Sequence, residues 1–492
     1  MIEPDGDGKL PGERGSMSND QKPDICVLGG GAGGVDLAAG AAQLGAKIVL
    51  VERGRLGGEN LNRGTVPSKA LISVSRQAHN VRQIREFGIA PMTPVINFRA
   101  VADHIQSVVA AVAPNESAER LAGFGVQVLR GFARFESRDS VSVDGRIIKA
   151  RNFVIATGSS PAIPAIAGLQ RVPVLTNETL FTSTTRFEHL IVIGGTGVAL
   201  ELAQAYLRLG SRVTLVAPGR FLPEYDPELS QPLMARMRDE GMVLAEGVSC
   251  ERIEPTDTGG IRLRASKDGD IETVEASHLL IADGRKPNVD GLQLELAGVT
   301  RSGSGIEISQ RLRTSNKQIY AIGDVTGGPP YATLARHQAD VVVRRLVLGA
   351  TDIARPESVP LVIFTDPELA HVGMTETQAR SRHGDAIRVL RWPFSQNDRA
   401  IAERRTDGFA KIVATRAGRI LGATIIGAQA GELIQTWSLA VSAALTVAQV
   451  SRSVAPYPTY AETSIRAAQG YTLEGAAESG VRSVLRLLPR LG

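Results

Sequence analysis

Cysteine is almost missing: only Cys26 and Cys250 occur in 492 residues. There is no CxxC pair and no metal-ligand spacing, so no disulfide framework, structural zinc or cluster is expected. Such sparing use of thiols fits a reducing, cytoplasmic setting. Cys26 falls inside an apolar run and reads as a small core residue. Cys250 falls in a second strand-like run, VSCERI. Aromatic residues are also scarce, at 4%, and the net charge is only +4 with arginines scattered along the chain. No nucleic-acid partner is therefore expected. No run of about 18 apolar residues exists to cross a membrane as a helix. The opening stretch, MIEPDGDGKLPGERGS, lacks the basic-then-apolar layout of a signal peptide, and residues 1–22 read as a disordered tail.

What is abundant is glycine, at 52 residues, within a chain that is 43% apolar and long enough for two to four domains. The stretch DICVLGGGAGGVDLAAGAAQLGAKIVLVER reads as strand, glycine turn, alanine-rich helix and strand. Gly29, Gly31 and Gly34 form GxGxxG at the first strand-to-helix turn. The first permits the tight turn, the second lets backbone approach a pyrophosphate, and the third lets helix and strand pack closely. Glu52 closes the second strand 52 − 34 = 18 residues later, near the spacing for a carboxylate that grips a ribose hydroxyl. Asp36, in the first helical turn, suits the helix dipole but adds negative charge near the phosphates.

A second unit of the same kind begins at His189: HLIVIGGTGVALELAQAYLRLGSRVTLVAPGR. Gly194, Thr196 and Ala199 take the three glycine positions, and a threonine side chain at the second crowds the pyrophosphate. Its second strand ends in Ala217, not in an acid. With Arg220 close by, this leans toward NADPH over NADH. Between the units, Val101, Ile105, Val108, Val109 and Val112 share a helical face, and Asp144-Gly145 reads as a hairpin turn. After them, IYAIGDVT places Gly323 and Asp324 directly behind an apolar strand. From about Pro356 the pattern alternates like antiparallel strands, with a turn at Arg416-Ala-Gly418.

The segment GGENLNRGTVPSKAL resembles the active-site segment of the FAD-dependent pyridine-nucleotide disulfide oxidoreductases, which include lipoamide dehydrogenases, glutathione reductases and mercuric reductases. These carry G-G-x-C-x-x-x-x-C-x-P-S-K. Here Asn60 and Thr65 stand at the cysteine positions, and neither can form a thiolate or a disulfide. The resemblance covers about residues 24–475. It implies an α/β fold with two Rossmann-like dinucleotide-binding domains and an α+β dimerisation domain. The implied division is 23–166 with 290–355 for FAD, 167–289 for NAD(P) and 356–492 for dimerisation.

The resemblance also implies roles for particular residues. Thr157, Gly158, Gly323, Asp324 and Ala332 join the FAD site, with Asp324 on the ribityl chain. Gly284 lies near the nicotinamide. Lys69 pairs with Glu201 beside the flavin and stabilises its reduced form. His337 is structural. The family's donated motif H-x-H-P-T-x-x-E becomes APYPTYAE, so Ala455 and Tyr457 replace the two histidines and Glu462 keeps the orienting acid. A homodimer completes each site across the interface.

The implied activity is an FAD-dependent NAD(P)H oxidoreductase passing electrons directly to a small acceptor: a quinone, a nicotinamide or oxygen. Mercuric or lipoamide reduction through a disulfide is excluded. The alternatives are a non-catalytic FAD-binding sensor or partner subunit, and a disulfide reductase that has lost its cysteines. The C-terminal run GVRSVLRLLPRLG packs on its own domain or makes weak contact with a membrane surface.

Overall fold

Ile25–Leu28 (β1) is buried at every residue, as expected of a central parallel strand covered on both faces. The computed structural model describes residues 22–478, with side chains described through Tyr471. The predicted tail, apart from Lys22, and the C-terminal basic run lie outside the described residues. β1 leads through the glycine turn into Ala32–Gln43 (α1) and Ile48–Glu52 (β2). Two helices, Gly58–Asn62 (α2) and Thr65–Gln83 (α3), follow, and then Phe98–Val112 (α4). Gln127–Arg130 (β3) and Asn152–Ile155 (β4) complete the unit. The parallel order is β4-β1-β2-β3, with Ile319–Ala321 outside β4. Cys26 is fully buried in this sheet, where burial pushes its thiol up to about 12.

In α4 the predicted stripe holds at its centre. Val101, Ile105 and Val109 are buried, and Asn97 caps the helix by accepting from Ala100 N at 3.1 Å. Asp144 and Gly145 both take positive φ, 48° and 83°, between two antiparallel strands, the backbone that a two-residue hairpin turn requires.

The second unit repeats the first. His189–Ile193 (β5), Gly197–Arg208 (α5), Arg212–Ala217 (β6), Pro227–Asp239 (α6), Val243–Glu246 (β7) and His278–Ile281 (β8) run in order. The sheet order is β7-β6-β5-β8, with Val174–Leu175 at its edge. Cys250 lies on the strand Ser249–Pro255 of a separate antiparallel sheet. After the return, Ala332–Leu348 (α7) packs against α1.

The third sheet is antiparallel. Leu361–Ile363 (β9), Glu368–Gly373 (β10), Ile387–Pro393 (β11), Phe409–Thr415 (β12) and Ile420–Gly427 (β13) are arranged as β9-β10-β13-β12-β11. Glu376–His383 (α8), Ala430–Ser442 (α9) and Glu462–Glu478 (α10) complete this part. No helix among the described residues is long and apolar enough to cross a membrane.

A buried lysine ties the second unit to this third sheet. Lys411, 1% exposed, contacts Asp226 at 2.8 Å, Glu376 at 2.9 Å and also Glu228. Its ammonium fills the space among three carboxylates close enough together to suggest a cation site. Burial pushes each carboxyl upward. Lys411, with Thr377 at Asp226, Arg391 at Glu228 and Arg380 at Glu376, outweighs it and holds all three below the usual range. Groups held low contribute stability that is present above their ordinary pKa and lost as pH falls through the folded value. Lys411→Met is expected to cost about 3 kcal/mol, because Asp226 loses its ion pair and the three crowded acids lose the charge they share. Denaturant unfolding from pH 7 down to pH 3 checks this. The gap between variant and parent should shrink as the acids protonate, and a constant gap would contradict the assignment.

Candidate active site

The C-terminal ends of β1, β2 and β4 open onto a cavity of about 900 Å³, within the range of a pocket that encloses a large cofactor. Gly29, Gly31, Glu52, Asn60, Thr65, Thr157, Gly158, Gly323, Asp324 and Ala332 all line it. The glycine turn explains its shape. Gly29 has φ 110°, and a Cβ there would meet Ala156 O at 2.3 Å. A Cβ on Gly34 would sit 1.9 Å from Gly29 O. A Cβ on Gly31 would meet nothing within 4 Å and would project into open space. At α1, Gly31 is the N-cap without a side-chain hydrogen bond, and no acid stands in the first turn. The first amides of α1 are thus available to an anion, and the helix dipole favours one. These residues fit the pyrophosphate of FAD. Asp36 instead pairs with Arg336 at 3.4 Å, which offsets its charge.

Glu52, expected to grip a ribose, lines the cavity and is also bonded within the turn. Its Oε2 accepts from Gly30 N at 2.6 Å and its Oε1 from Gly54 N, so it also stiffens the glycine turn. Asp324 accepts from the Ser159 hydroxyl and stands 3.7 Å from Arg285. Thr157 donates to Asn288 O at 2.8 Å, and Asn288 returns a bond to Thr157 O at 3.0 Å. Asn288, Ser159, Arg285 and Glu59 were not singled out in the sequence. Nothing local in the sequence after Gly284 says which acid Arg285 meets.

Lys69 and Glu201 come together across 132 residues of sequence. Lys69 Nζ lies 2.7 Å from Glu201 Oε2 and 4.3 Å from the centre of the Phe364 ring. Glu201 Oε1 accepts from Phe364 N at 2.8 Å. His337 Nε2 faces Arg355 N at 3.3 Å within its own region.

At the second glycine turn, Gly194 has φ 145° and a Cβ there would meet Ala282 O at 2.4 Å. Thr196 does not simply crowd the turn. It caps α5, accepting from Ala199 N at 3.4 Å while donating to Ala282 O at 3.0 Å. Ala199 itself is fully buried, and Gly284 is exposed. Arg220 is drawn back into its own loop, donating to Pro223 O at 3.0 Å and Tyr225 O at 2.7 Å. Ala217 lacks an acid, but the parallel register sets Glu246 beside it, where Glu246 accepts from Phe221 N at 2.7 Å. The sequence hid that carboxylate because it comes from the next strand.

Tyr457 and Glu462 do not line the cavity of their own chain. Tyr457 is 71% exposed, and its hydroxyl donates to Asp398 at 2.9 Å rather than to Glu462. That bond raises the phenol above its usual range. Neither cysteine lines the cavity. Burial, with Asp283 nearby, pushes Cys250 up to about 11.

Known proteins share this fold. Residues 23–339 match the pyridine nucleotide-disulphide oxidoreductase family, and residues 359–468 match its dimerisation domain. The latter supports a homodimer. The chain is 35% identical over 461 residues to a mercuric reductase of Streptomyces lividans, covering 92% of this chain and 97% of that protein. It is 33% identical to a dihydrolipoyl dehydrogenase of Geobacillus stearothermophilus, covering 90% and 95%. Among solved structures, LpdA from Mycobacterium tuberculosis superposes with a TM-score of 0.83 at 27% identity, covering 90% of this chain and 98% of that one. The HOCl-induced flavoprotein disulfide reductase RclA from Escherichia coli gives 0.79 at 26%, covering 91% and 99%. The chain belongs to the pyridine nucleotide-disulphide oxidoreductase family, whose members use FAD and NAD(P)H.

Proposed function

We propose that this chain is an FAD-dependent NAD(P)H oxidoreductase that passes electrons directly to a small acceptor, a quinone, a nicotinamide or oxygen, with no redox disulfide between. One observation carries this reading. Asn60 and Thr65 stand on the cavity wall, and neither of the chain's two cysteines does. Bound flavin supplies hydride acceptance from NAD(P)H and electron transfer onward, chemistry that needs orientation rather than thiols.

The chain's own residues do the rest. The amides behind Gly31 hold the pyrophosphate, Glu52 the ribose and Asp324 the ribityl chain. Lys69, fixed by Glu201, would set a positive charge beside the ring. Gly194, Thr196 and Ala199 shape the NAD(P)H turn. Residues 23–166 with 290–355 hold FAD, 167–289 hold NAD(P)H, and 356–492 form the dimer contact. Tyr457 and Glu462 then serve the partner's cavity.

The test is anaerobic addition of NADPH or NADH to the flavin-loaded protein. Flavin absorbance is expected to bleach and to return on adding 1,4-benzoquinone. A second reading, an FAD-holding protein without turnover, draws on Thr196 capping α5 and on Arg220 being tied into its loop. Flavin that stays oxidised selects it. Colourless protein that FAD cannot reconstitute rejects both.

A further inference from the structure

Glu59 stands on α2, one residue before Asn60, on the cavity wall. Its carboxylate reaches two segments far away in the chain. Oε1 accepts from Asn177 Nδ2 at 2.9 Å, and Oε2 pairs with Arg285 Nη2. Asn177 lies on the stretch that enters the second dinucleotide unit, and Arg285 on the stretch that leaves it. Both partners are themselves held. Asn177 Nδ2 also donates to Arg63 O at 3.0 Å. Arg285 donates to Ser159 O at 2.8 Å and to Ser159 Oγ at 2.7 Å. Arg63 closes the group with an ion pair to Glu178 at 2.9 Å.

This part of the wall is short and irregular, held locally by Asn62 Nδ2, which donates to Leu56 O at 2.9 Å and Gly58 O at 2.7 Å, and by buried Leu61. α2 has five residues and is entered through Gly57 and Gly58, with φ 82° and 53°. It has no side-chain cap, and the chain breaks again at Gly64 before α3 begins. A helix this short does not hold itself in water. Asn60 and Thr65, which flank the break, cannot be cross-linked as cysteines could.

We infer that Glu59, clamped by Asn177 and Arg285, is a positioning residue that holds residues 59–65 in place without a covalent link, the task a disulfide between positions 60 and 65 would perform. What these residues face rests on the function proposed above; the clamp itself does not. In this chain, then, the connections between the two dinucleotide units fix the wall that meets the acceptor.

The experiment uses the full, FAD-loaded, oxidised protein and amide hydrogen exchange. Glu59→Ala is expected to speed exchange over residues 58–66 by about tenfold, with the rest of the chain little changed. Glu59→Gln, which loses the ion pair but can still accept from Asn177, should fall between. In an Asn60→Cys, Thr65→Cys background, with the disulfide verified by thiol titration, adding Glu59→Ala should leave those amides near the parent's protection. A second readout is the steady-state reduction of 1,4-benzoquinone. Glu59→Ala should raise the quinone KM by about tenfold, since an ångström of misplacement is costly, and should change kcat less.

Unchanged exchange in Glu59→Ala overturns the inference. So does faster exchange spread evenly over the chain, or loss that persists in the cross-linked background; an unchanged quinone KM overturns the placing of the acceptor against residues 59–65. If the parent protein does not reduce quinone at all, the proposed function fails, and the exchange results still decide the clamp.

Discussion

Replacing Gly31 by isoleucine is expected to give a folded protein that purifies without flavin. Gly31 has φ −77° and ψ −175°, a backbone that any residue adopts. An added Cβ meets no atom within 4 Å, so the fold tolerates the substitution. The larger side chain then occupies the space in front of α1, where the helix amides are to meet the pyrophosphate. The loss should be nearly complete, because removing the phosphate contacts removes both hydrogen bonds and the dipole contribution. Gly34→Ala is the control with the opposite cause. Its Cβ would fall 1.9 Å from Gly29 O, so the turn itself must deform, at a cost of about 1–3 kcal/mol or more. Far-ultraviolet circular dichroism, together with the ratio of flavin to protein absorbance, separates the two. Gly31→Ile should keep the spectrum and lose the colour, whereas Gly34→Ala should lose stability as well. A yellow Gly31→Ile protein with a full complement of FAD would mean that the pyrophosphate lies elsewhere.

The contrast between these glycines shows what the sequence makes legible. GxGxxG, the alanine-rich helix and Glu52 lie within 30 residues, and local backbone geometry determines them, so they could be read directly. The same held for the hairpin at Asp144-Gly145 and the buried stripe of α4. Side-chain direction was harder. Thr196 read as an obstruction because its rotamer is set by Ala282, 86 residues away. Glu52 read as a ribose ligand, yet its two oxygens also serve Gly30 and Gly54. Tyr457 reads as standing in a histidine's place, and only tertiary packing shows that Asp398 meets its hydroxyl. Least legible were the long-range charge pairs. Glu59 and Arg285 are separated by 226 residues, and many acids could have met that arginine. The Lys69–Glu201 contact was the exception, because a resemblance supplied both ends.

That contact is where a second large effect is expected. Lys69→Met keeps the aliphatic stem but removes the ammonium that lies 2.7 Å from Glu201 and over the Phe364 ring. Flavin bleaching by NAD(P)H should slow by about a hundredfold, the scale seen when one fixed donor or charge is removed from a site where charge develops. The accompanying loss of stability should be much smaller. Glu201 has a side chain only 6% exposed and keeps the Phe364 amide as a partner, whereas Lys69 is 31% exposed and partly screened by solvent. About 1–2 kcal/mol is reasonable after that discount. Glu201→Gln retains an acceptor for Phe364 N and leaves Lys69 charged but less firmly held. Its bleaching rate should fall by only about tenfold, because the charge remains and only its placement is loosened. Lys69→Arg should not restore the parent rate, since a planar guanidinium cannot take the position of a compact ammonium over that ring. Stopped-flow bleaching of the three variants under anaerobic conditions, with melting temperatures alongside, tests the order. If Lys69→Met bleaches as fast as the parent while remaining folded and yellow, the pair holds two helices together and has no part in receiving the hydride. Should Glu201→Gln instead prove slower than Lys69→Met, the carboxylate would matter for its own charge and not as the anchor of the lysine.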